Sequence, residues 1–568
     1  MSKIFVQLKK YNFSEKLLIG WGVFGGILGL FLYFLGLISL FYRPLVIIVS
    51  LLFLGLLLLF WSKIDIWSSL KMFWQNFKKT LRKDPLILAI IVIFLLFVLV
   101  NFIVALAPET GFDALWYHLT LPKIYLATHQ IRFIHGGNLY YSVMPRIVEM
   151  LYGSALAFNP AGILPKVVHL FFGLSWFFGT YLFCRLFLGR RIALFSALIV
   201  YGTALVSSLS QTAYIDLAVA FFVVMSIWAV FRFFKTNDNL DLYLAAIFMG
   251  FNLSSKIYGL IIFAIVLGVL LYKSGWKPTL KFSGIAFLIV LPFYFQSYLA
   301  TGNPIYPVFS VPDCCLYLYT NGYYYLKDWY MYVWWKLLPK LSYQVFVLNF
   351  TPILAIIPFI FFSKNWRKMV LPMIILTAFF FAWSLIPIQD PRYFLIILPV
   401  VALLTGFIIE NLNYKFGRIL IIIFALAVLI CNLFLISKSY KDHFRVFLGR
   451  ESRNTYLTKH VAPAFYDSNG FIDRYTTTND KIWTANIGLR FYLNRPFADF
   501  DFDPLWQKHL GSAPEFHQYL KNNGFSYILF GNGTSLTKFT GLKEDDLAPL
   551  IQLLYQDDFY KLYKIKCL

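Results

Sequence analysis

Between Ala107 and Tyr152, a stretch that opens APETGFDALWYHLTLPKIYLATHQI, the chain sets Glu109, Asp113, His118, Lys123, Arg146 and Glu149 among aromatic residues. Long apolar runs lie on either side, and an ionisable group beside lipid is costly enough that function is its usual reason. A carboxylate at the bilayer edge is suited to take a proton from a hydroxyl. Asp113, after Thr110-Gly111-Phe112, is the first candidate for that role. The same side chain serves equally as a ligand for a divalent cation, or as the N-cap of a helix over 114–127 that would carry Trp116, Tyr117 and Tyr125 at headgroup level. Glu149, in MPRIVEMLYGSAL, is a candidate second catalytic carboxylate. If Pro145 opens a helix, Glu149 shares a face with Tyr152 and Gly153, or pairs with Arg146 three residues earlier. His118 and Lys123 suit a phosphate or are structural, with Lys123 snorkelling.

Further scarce charges lie downstream. Asp216 in QTAYIDLAVAFF and Lys256 in NLSSKIYGL interrupt strongly apolar runs. Such a pair either neutralises itself as structural glue or lines a polar pocket for a phosphate. Asn303 and Tyr306, in TGNPIYPVF, open an aromatic-rich loop whose rings suit an interface belt, a groove for a prenyl chain or a sugar stack. IQDPRYFLIILP brings Arg392, whose planar fork grips phosphate with two hydrogen bonds, and Tyr393 beside it. No P-loop, GxGxxG after a strand, HExxH or GxSxG is present, so an ATP-driven pump or a serine hydrolase has no support.

The elements that must position these residues are membrane helices. The 568 residues are 60% hydrophobic and only 14% charged, against about a quarter charged in soluble domains. The net charge of +23 belongs to Lys and Arg in short loops facing anionic lipid, and nucleic acid is not implied. The five cysteines have neither metal-ligand spacing nor a disulfide framework. The first apolar segment lacks a small-residue cleavage site and reads as a retained helix. About 20 apolar residues are needed to span, and that test yields about thirteen candidates: 17–41, 44–61, 86–107, 161–184, 192–210, 213–234, 241–256, 257–272, 280–299, 344–362, 369–388, 393–410 and 418–437. With a break at Lys256, the basic loops all fall on one side. The N-terminus is then cytoplasmic, and the 107–160 loop and the C-terminus are extracytoplasmic. Glu109, Asp113, Glu149, Asp216, Asp313, Asp328 and Asp390 share that outer side, a gathering that topology does not demand. From residue 438 the composition turns polar: KIWTANI and FSYILFG are strand-like, and EFHQYLKNNG is a helix ending at Gly524. The division expected is an N-terminal hairpin with a basic loop over 1–85, a transmembrane module over 86–437, and an α/β domain over 438–568.

FDALWYHLTLPKIYLATHQI, MPRIVEMLYGSAL, YIDLAVAFF, SSKIYGL, TGNPIYP and DPRYFLIILP, in that order, resemble the bacterial and archaeal members of the protein O-mannosyltransferase-like group, membrane glycosyltransferases of the GT-C fold and the family-39 kind. The resemblance covers roughly 86–437. It implies a polytopic α-helical membrane protein of GT-C type with a C-terminal extracytoplasmic α/β domain, in the cell membrane. It also implies a polyprenyl-phosphate-linked sugar as donor, with Asp113 as the expected catalytic residue. Some relatives carry an Asp-Glu pair here; this chain has Asp113-Ala114, which leaves Glu149 as the second carboxylate to consider. Relatives differ in metal dependence, so a divalent metal is left open, with Asp113 as its ligand.

The expected activity is inverting transfer of a hexosyl or pentosyl group to a glycan, lipid or protein acceptor. Asp113 is the base, and Lys256, Arg392 and Lys123 take the donor phosphate. Tyr117, His118, Asp216, Asn303, Tyr306 and Tyr393 line the pocket. Displacement at the anomeric carbon passes through an oxocarbenium-like state. The alternative from another class is a lipid-linked glycan flippase or polysaccharide exporter, which favours broken helices and charges near the midplane; a non-catalytic relative with a binding domain is the third reading.

Overall fold

The computed structural model describes residues 7–134, 139–306, 308, 360–361, 363, 365–385, 390–412, 414–461, 471–484, 491–493, 497–499, 512–531, 542, 544–556 and 560–566. Among them, eight helices are long and apolar enough to cross a membrane. They are Phe13–Leu37, Arg43–Lys63, Pro85–Ala105, Ile163–Arg185, Asp216–Thr236, Trp276–Thr301, Trp366–Leu385 and Lys415–Ser439. Each coincides with one expected span. The expected span 344–362, apart from 360–361, and the aromatic run 314–335 lie outside the described residues.

The departures have local causes. The expected span 192–210 is two helices, Arg190–Tyr201 and Ala204–Leu209. Gly202 sits at the break, where a Cβ would lie 3.1 Å from Phe97, and Thr203 caps the second helix. The break expected at Lys256 is present: Asn239–Leu253 and Gly259–Ser274 are separate helices. The first runs antiparallel to Asp216–Thr236, since Asp241 bonds to Arg232 at one end and Lys256 to Asp216 at the other. At about 1.5 Å per residue, both helices are short for a bilayer.

Helix starts are marked in the sequence. Asn12 and Glu15 form a reciprocal capping box at Phe13. Asp84 accepts the Ile87 N–H, with Pro85 at the first helical position. Asp216–Thr236 is the core, buried along nearly its whole length. Arg43–Lys63 is peripheral and leaves Leu51, Leu52 and Leu59 more than half exposed, as a lipid-facing helix must. Helix Phe13–Leu37 seats against the core through glycines: Cβ atoms at Gly22 and Gly29 would meet Phe248 at 2.6 Å and the Ile147 carbonyl oxygen at 2.7 Å. Small residues let membrane helices approach closely.

The C-terminal region carries a five-stranded sheet in the order β2-β1-β3-β5-β4, from β1 (Lys481–Thr484), β2 (Phe497–Asp499), β3 (Phe525–Gly531), β4 (Ile551–Gln556) and β5 (Tyr560–Ile565). β1 is parallel to β2 and β3, and β5 is antiparallel to β3 and β4. Helix Ala513–Asn522 covers it, with Phe516 edge-on to Trp483 at 5.1 Å, and Gly524 ends that helix at φ +72°. The α/β character is therefore as the sequence implies. This region meets the bundle at the Ala107 loop, where Ala107, Tyr456 and Leu457 pack together.

Candidate active site

Asp113 begins a π-helical turn, Ala114–His118, followed by the α-helix Thr120–Thr128. A single helix over 114–127 is thus not what forms. Pro122 has no N–H to donate to residue 118, and the backbone widens there, with Leu119 N–H bonded to the Ala114 carbonyl at 2.9 Å. Asp113 makes no side-chain cap. Tyr117 and Tyr125 are buried instead of sitting at a headgroup surface; Tyr117 stacks on Tyr141 at 3.9 Å.

The Asp113 carboxylate instead receives Arg392, whose Nη1 donates to Oδ2 at 2.6 Å across 279 residues. The 3-10 helix Pro391–Ile396, capped by Asp390, presents this guanidinium. Asp390 Oδ1 accepts the Arg392 backbone N–H at 2.9 Å, and Oδ2 accepts Nε and Nη2 at 2.9 and 2.7 Å. Arg392 therefore points one nitrogen at Asp113 while Asp390 fixes its plane. The same Nη1 lies 3.8 Å from Asp216 Oδ2, and its Cζ is 5.0 Å above the Tyr214 ring. Asp216 Oδ1 takes the Lys256 ammonium at 3.0 Å and the Tyr258 hydroxyl at 3.4 Å. The Tyr258 and Tyr393 rings lie 4.4 Å apart, tilted by 36°, and flank that ammonium. Asp216 is fully buried, whereas Asp113, Lys256 and Arg392 keep 14%, 17% and 19% of their side chains exposed. Two cations and one carboxylate thus stay partly exposed around a buried counter-charge.

Burial opposes the charge on Lys256, but Asp216 and Tyr393 outweigh it and the ammonium pKa is raised. Burial likewise opposes the Arg392 charge, and Asp216, Asp390 and Asp113 outweigh it. Burial raises the Tyr258 and Tyr214 hydroxyls, so both stay protonated. Tyr214 also accepts the Asp113 N–H at 3.3 Å.

Behind this cluster lies a second one. His118 Nδ1 meets Glu149 Oε1 at 2.8 Å, both side chains buried, so Glu149 pairs with His118 and not with Arg146. Arg146 donates to the Tyr125 hydroxyl and to Gln296 Oε1 at 2.9 and 3.0 Å. Glu109 ties the loop together, accepting the N–H groups of Thr110, Gly111 and Ala213 at 2.9, 2.7 and 2.6 Å. Lys166 donates to the Ala107 carbonyl at 2.8 Å beneath it.

Of the residues singled out in the sequence, Asp113, Asp216, Lys256, Arg392 and Tyr393 come together, with Tyr117, His118 and Glu149 packed behind. Lys123 does not join them. It donates to the Phe491 and Leu493 carbonyls at 2.6 and 3.0 Å, in the seam with the C-terminal region, where burial lowers its pKa to about 8. Asn303 holds its own turn, accepting the Ile305 N–H at 3.0 Å and donating to the Val308 carbonyl at 2.7 Å. Tyr306 packs on Val143. Asp390, Tyr214 and Tyr258 were not singled out as site residues, although Asp two residues before Arg in DPR is a cap pattern open to reading. Among the described residues no group of three or more His, Cys, Asp or Glu forms a metal-ligand set. Asp113 and Asp216 are each committed to a cation, so in this arrangement they do not fit a shared divalent ion.

Residues 163–299 match the family model described as dolichyl-phosphate-mannose-protein mannosyltransferase. No curated protein matches the chain in sequence. Among solved structures, the chain is similar to ArnT from Cupriavidus metallidurans in the apo state, with a TM-score of 0.56 and 14% identity over 84% of this chain and 97% of that one. The same protein bound to undecaprenyl phosphate gives 0.56 at 15% identity, with the same coverage. The apo oligosaccharyltransferase of Archaeoglobus fulgidus gives 0.50 at 12% identity, over 80% of this chain and 70% of that one. The chain therefore has the GT-C fold of membrane glycosyltransferases, and the stretch that matches the mannosyltransferase family model, 163–299, begins at the Ile163 helix and ends within the Trp276 helix.

Proposed function

We propose that this chain is an integral membrane glycosyltransferase that moves a sugar from a polyprenyl-phosphate donor to an acceptor hydroxyl on the extracytoplasmic face of the cell membrane, with inversion. The observation that carries the reading is the meeting of Asp113, Asp216, Lys256 and Arg392 at one partly open point. The undecaprenyl phosphate in the similar ArnT structure supports the donor class. The basic loops on the opposite side support the orientation, with the N-terminus cytoplasmic and the sheet region outside.

The donor phosphate binds at Arg392 and Lys256, whose positive charge stabilises it as the leaving group. An anion arriving there competes with Asp113 for the Arg392 Nη1 and frees the carboxylate to face the acceptor. The acceptor oxygen then bonds to the anomeric carbon while the bond from that carbon to the phosphate oxygen breaks. The hydroxyl proton passes to Asp113, and the electron pair leaves with the polyprenyl phosphate. Asp216 does not touch the reacting atoms; it holds Lys256 in place.

The test uses purified full-length protein, radiolabelled prenyl-phosphate sugars and candidate acceptors. Asp113→Asn is expected to lower transfer by about 10²–10⁴-fold while the protein still binds the donor. Full activity in that variant removes the base assignment. An exporter or flippase would give no covalent product with any donor.

A further inference from the structure

The basic segment between the second and third spans is a helix of its own, Ile66–Lys83, IWSSLKMFWQNFKKTLRK. It cannot continue either neighbouring span. Asp65, in the left-handed region at φ 60°, turns the chain sharply out of Arg43–Lys63. Asp84, extended at φ −132°, turns it again before Pro85. The helix therefore crosses one end of the bundle. That end is the one remote from Asp113: Lys16 bonds Ser69 at 2.9 Å, its neighbour Glu15 pairs with Arg232, and Asp84 pairs with Arg191. Arg232 is sixteen residues along the helix that begins at Asp216, which is about 24 Å.

At helical spacing, Phe73, Phe77, Ile66 and Leu70 fall on one side. Phe73 stacks with Phe77 and lies 5.2 Å from Phe13, so this side leans on the bundle. Trp67, Lys71, Trp74 and Lys78 form the next stripe, at i, i+4, i+7 and i+11. Trp67 and Trp74 are 58% and 50% exposed, and Lys71, Lys78, Lys79, Arg82 and Lys83 are all exposed. Trp67, Leu70, Lys71, Trp74, Gln75 and Lys78 line a shallow groove of about 310 Å³. Tryptophan edged by lysine, on a helix lying across the end of a membrane bundle, is the composition of an interfacial helix, with rings at acyl-headgroup depth and ammonium groups at the phosphates. A zwitterionic surface gives such a cluster no net attraction, whereas an anionic one does.

We propose that the Trp67–Lys78 groove is a binding site for an anionic glycerophospholipid, the phosphate held by Lys71 and Lys78 and the glycerol and acyl chains against Trp67 and Trp74. The site is independent of the glycosyl-transfer reading, since none of its residues touches the Asp113 cluster.

The test is native mass spectrometry of the full chain released from nanodiscs containing phosphatidylglycerol and phosphatidylcholine in equal amounts. The wild type is expected to retain phosphatidylglycerol selectively. K71Q/K78Q/R82Q is expected to retain at least about tenfold less, since each basic group near a charged surface contributes substantially. K273Q/K277Q/K281Q, an equal loss of charge elsewhere, should retain it as the wild type does, and K71R/K78R should too. Each variant is first shown to be monodisperse with the wild-type melting profile, and a groove triple variant that fails this check is replaced by W67A/W74A, read the same way. Equal retention by wild type and groove variant overturns the proposal. So does equal loss in the two glutamine triples, or retention of phosphatidylcholine to the same extent.

Discussion

The buried Asp216 carboxylate supports two cations, and its removal is the sharpest test of the cluster's energetics. At 3.0 Å from Lys256 and an effective dielectric constant of about 20, the direct attraction is about 5–6 kcal/mol. Desolvating the ions offsets much of this, so the pair as a whole contributes little net stability. Breaking it from one side is different, because Asp216→Asn leaves Lys256 and Arg392 facing each other without their buried counter-charge. One-sided loss of a buried pair costs about 3–5 kcal/mol. Lys256 and Arg392 remain 17% and 19% exposed and recover some solvation, so the lower end applies, about 3 kcal/mol. Lys256→Met in the same chain removes the stranded charge and should restore about 2 kcal/mol of that loss. The measurement is a double-mutant cycle on the unfolding free energy, from SDS titration of the full chain in mixed micelles. A single-variant loss below about 1 kcal/mol, or a double variant no more stable than Asp216→Asn alone, would refute the claim that this carboxylate is the buried counter-charge of the site.

Arg392→Lys keeps the charge but loses the fork that Asp390 and Asp113 share. It should lower kcat/KM for the prenyl-phosphate donor by about 10²-fold while leaving expression intact, and unchanged kinetics would remove Arg392 from the donor site. Lys123 gives a pH signature. Its folded pKa is lowered to about 8 from 10.5, so between those values the unfolded chain binds more protons and the penalty for burying the charge fades as pH rises. Wild-type stability relative to Lys123→Met should be flat below pH 8 and climb between 8 and 10.5 in paired thermal melts, and a decline over that window contradicts the burial. Gly29→Ala places a Cβ 2.7 Å from the Ile147 carbonyl oxygen. It should destabilise the bundle by about 1–3 kcal/mol in SDS titration, whereas Gly25→Ala, with nothing within 4 Å, should not.

Composition and apolar run length were enough to mark this chain as a polytopic membrane protein and to place the eight long apolar helices among the described residues, because a helix in lipid must satisfy its own backbone and show an apolar surface over its full length. The sequence also exposed the residues worth watching, since a charge in such a chain is rare. It could not say how the charges pair. Glu149 reads locally as a partner for Arg146, yet it meets His118, because the helix Ile147–Phe158 is buried on all sides and its neighbours come from elsewhere in the chain. Lys123 reads as a phosphate ligand but turns to carbonyls beyond residue 490, a contact spanning 368 residues that no local pattern encodes. Asp113 and Arg392 stand 279 residues apart, and their meeting depends on how a dozen helices pack. Packing is fixed by side-chain shape at close approach, such as the glycines of the first helix against Phe248 and Ile147, and that information is distributed over the whole chain.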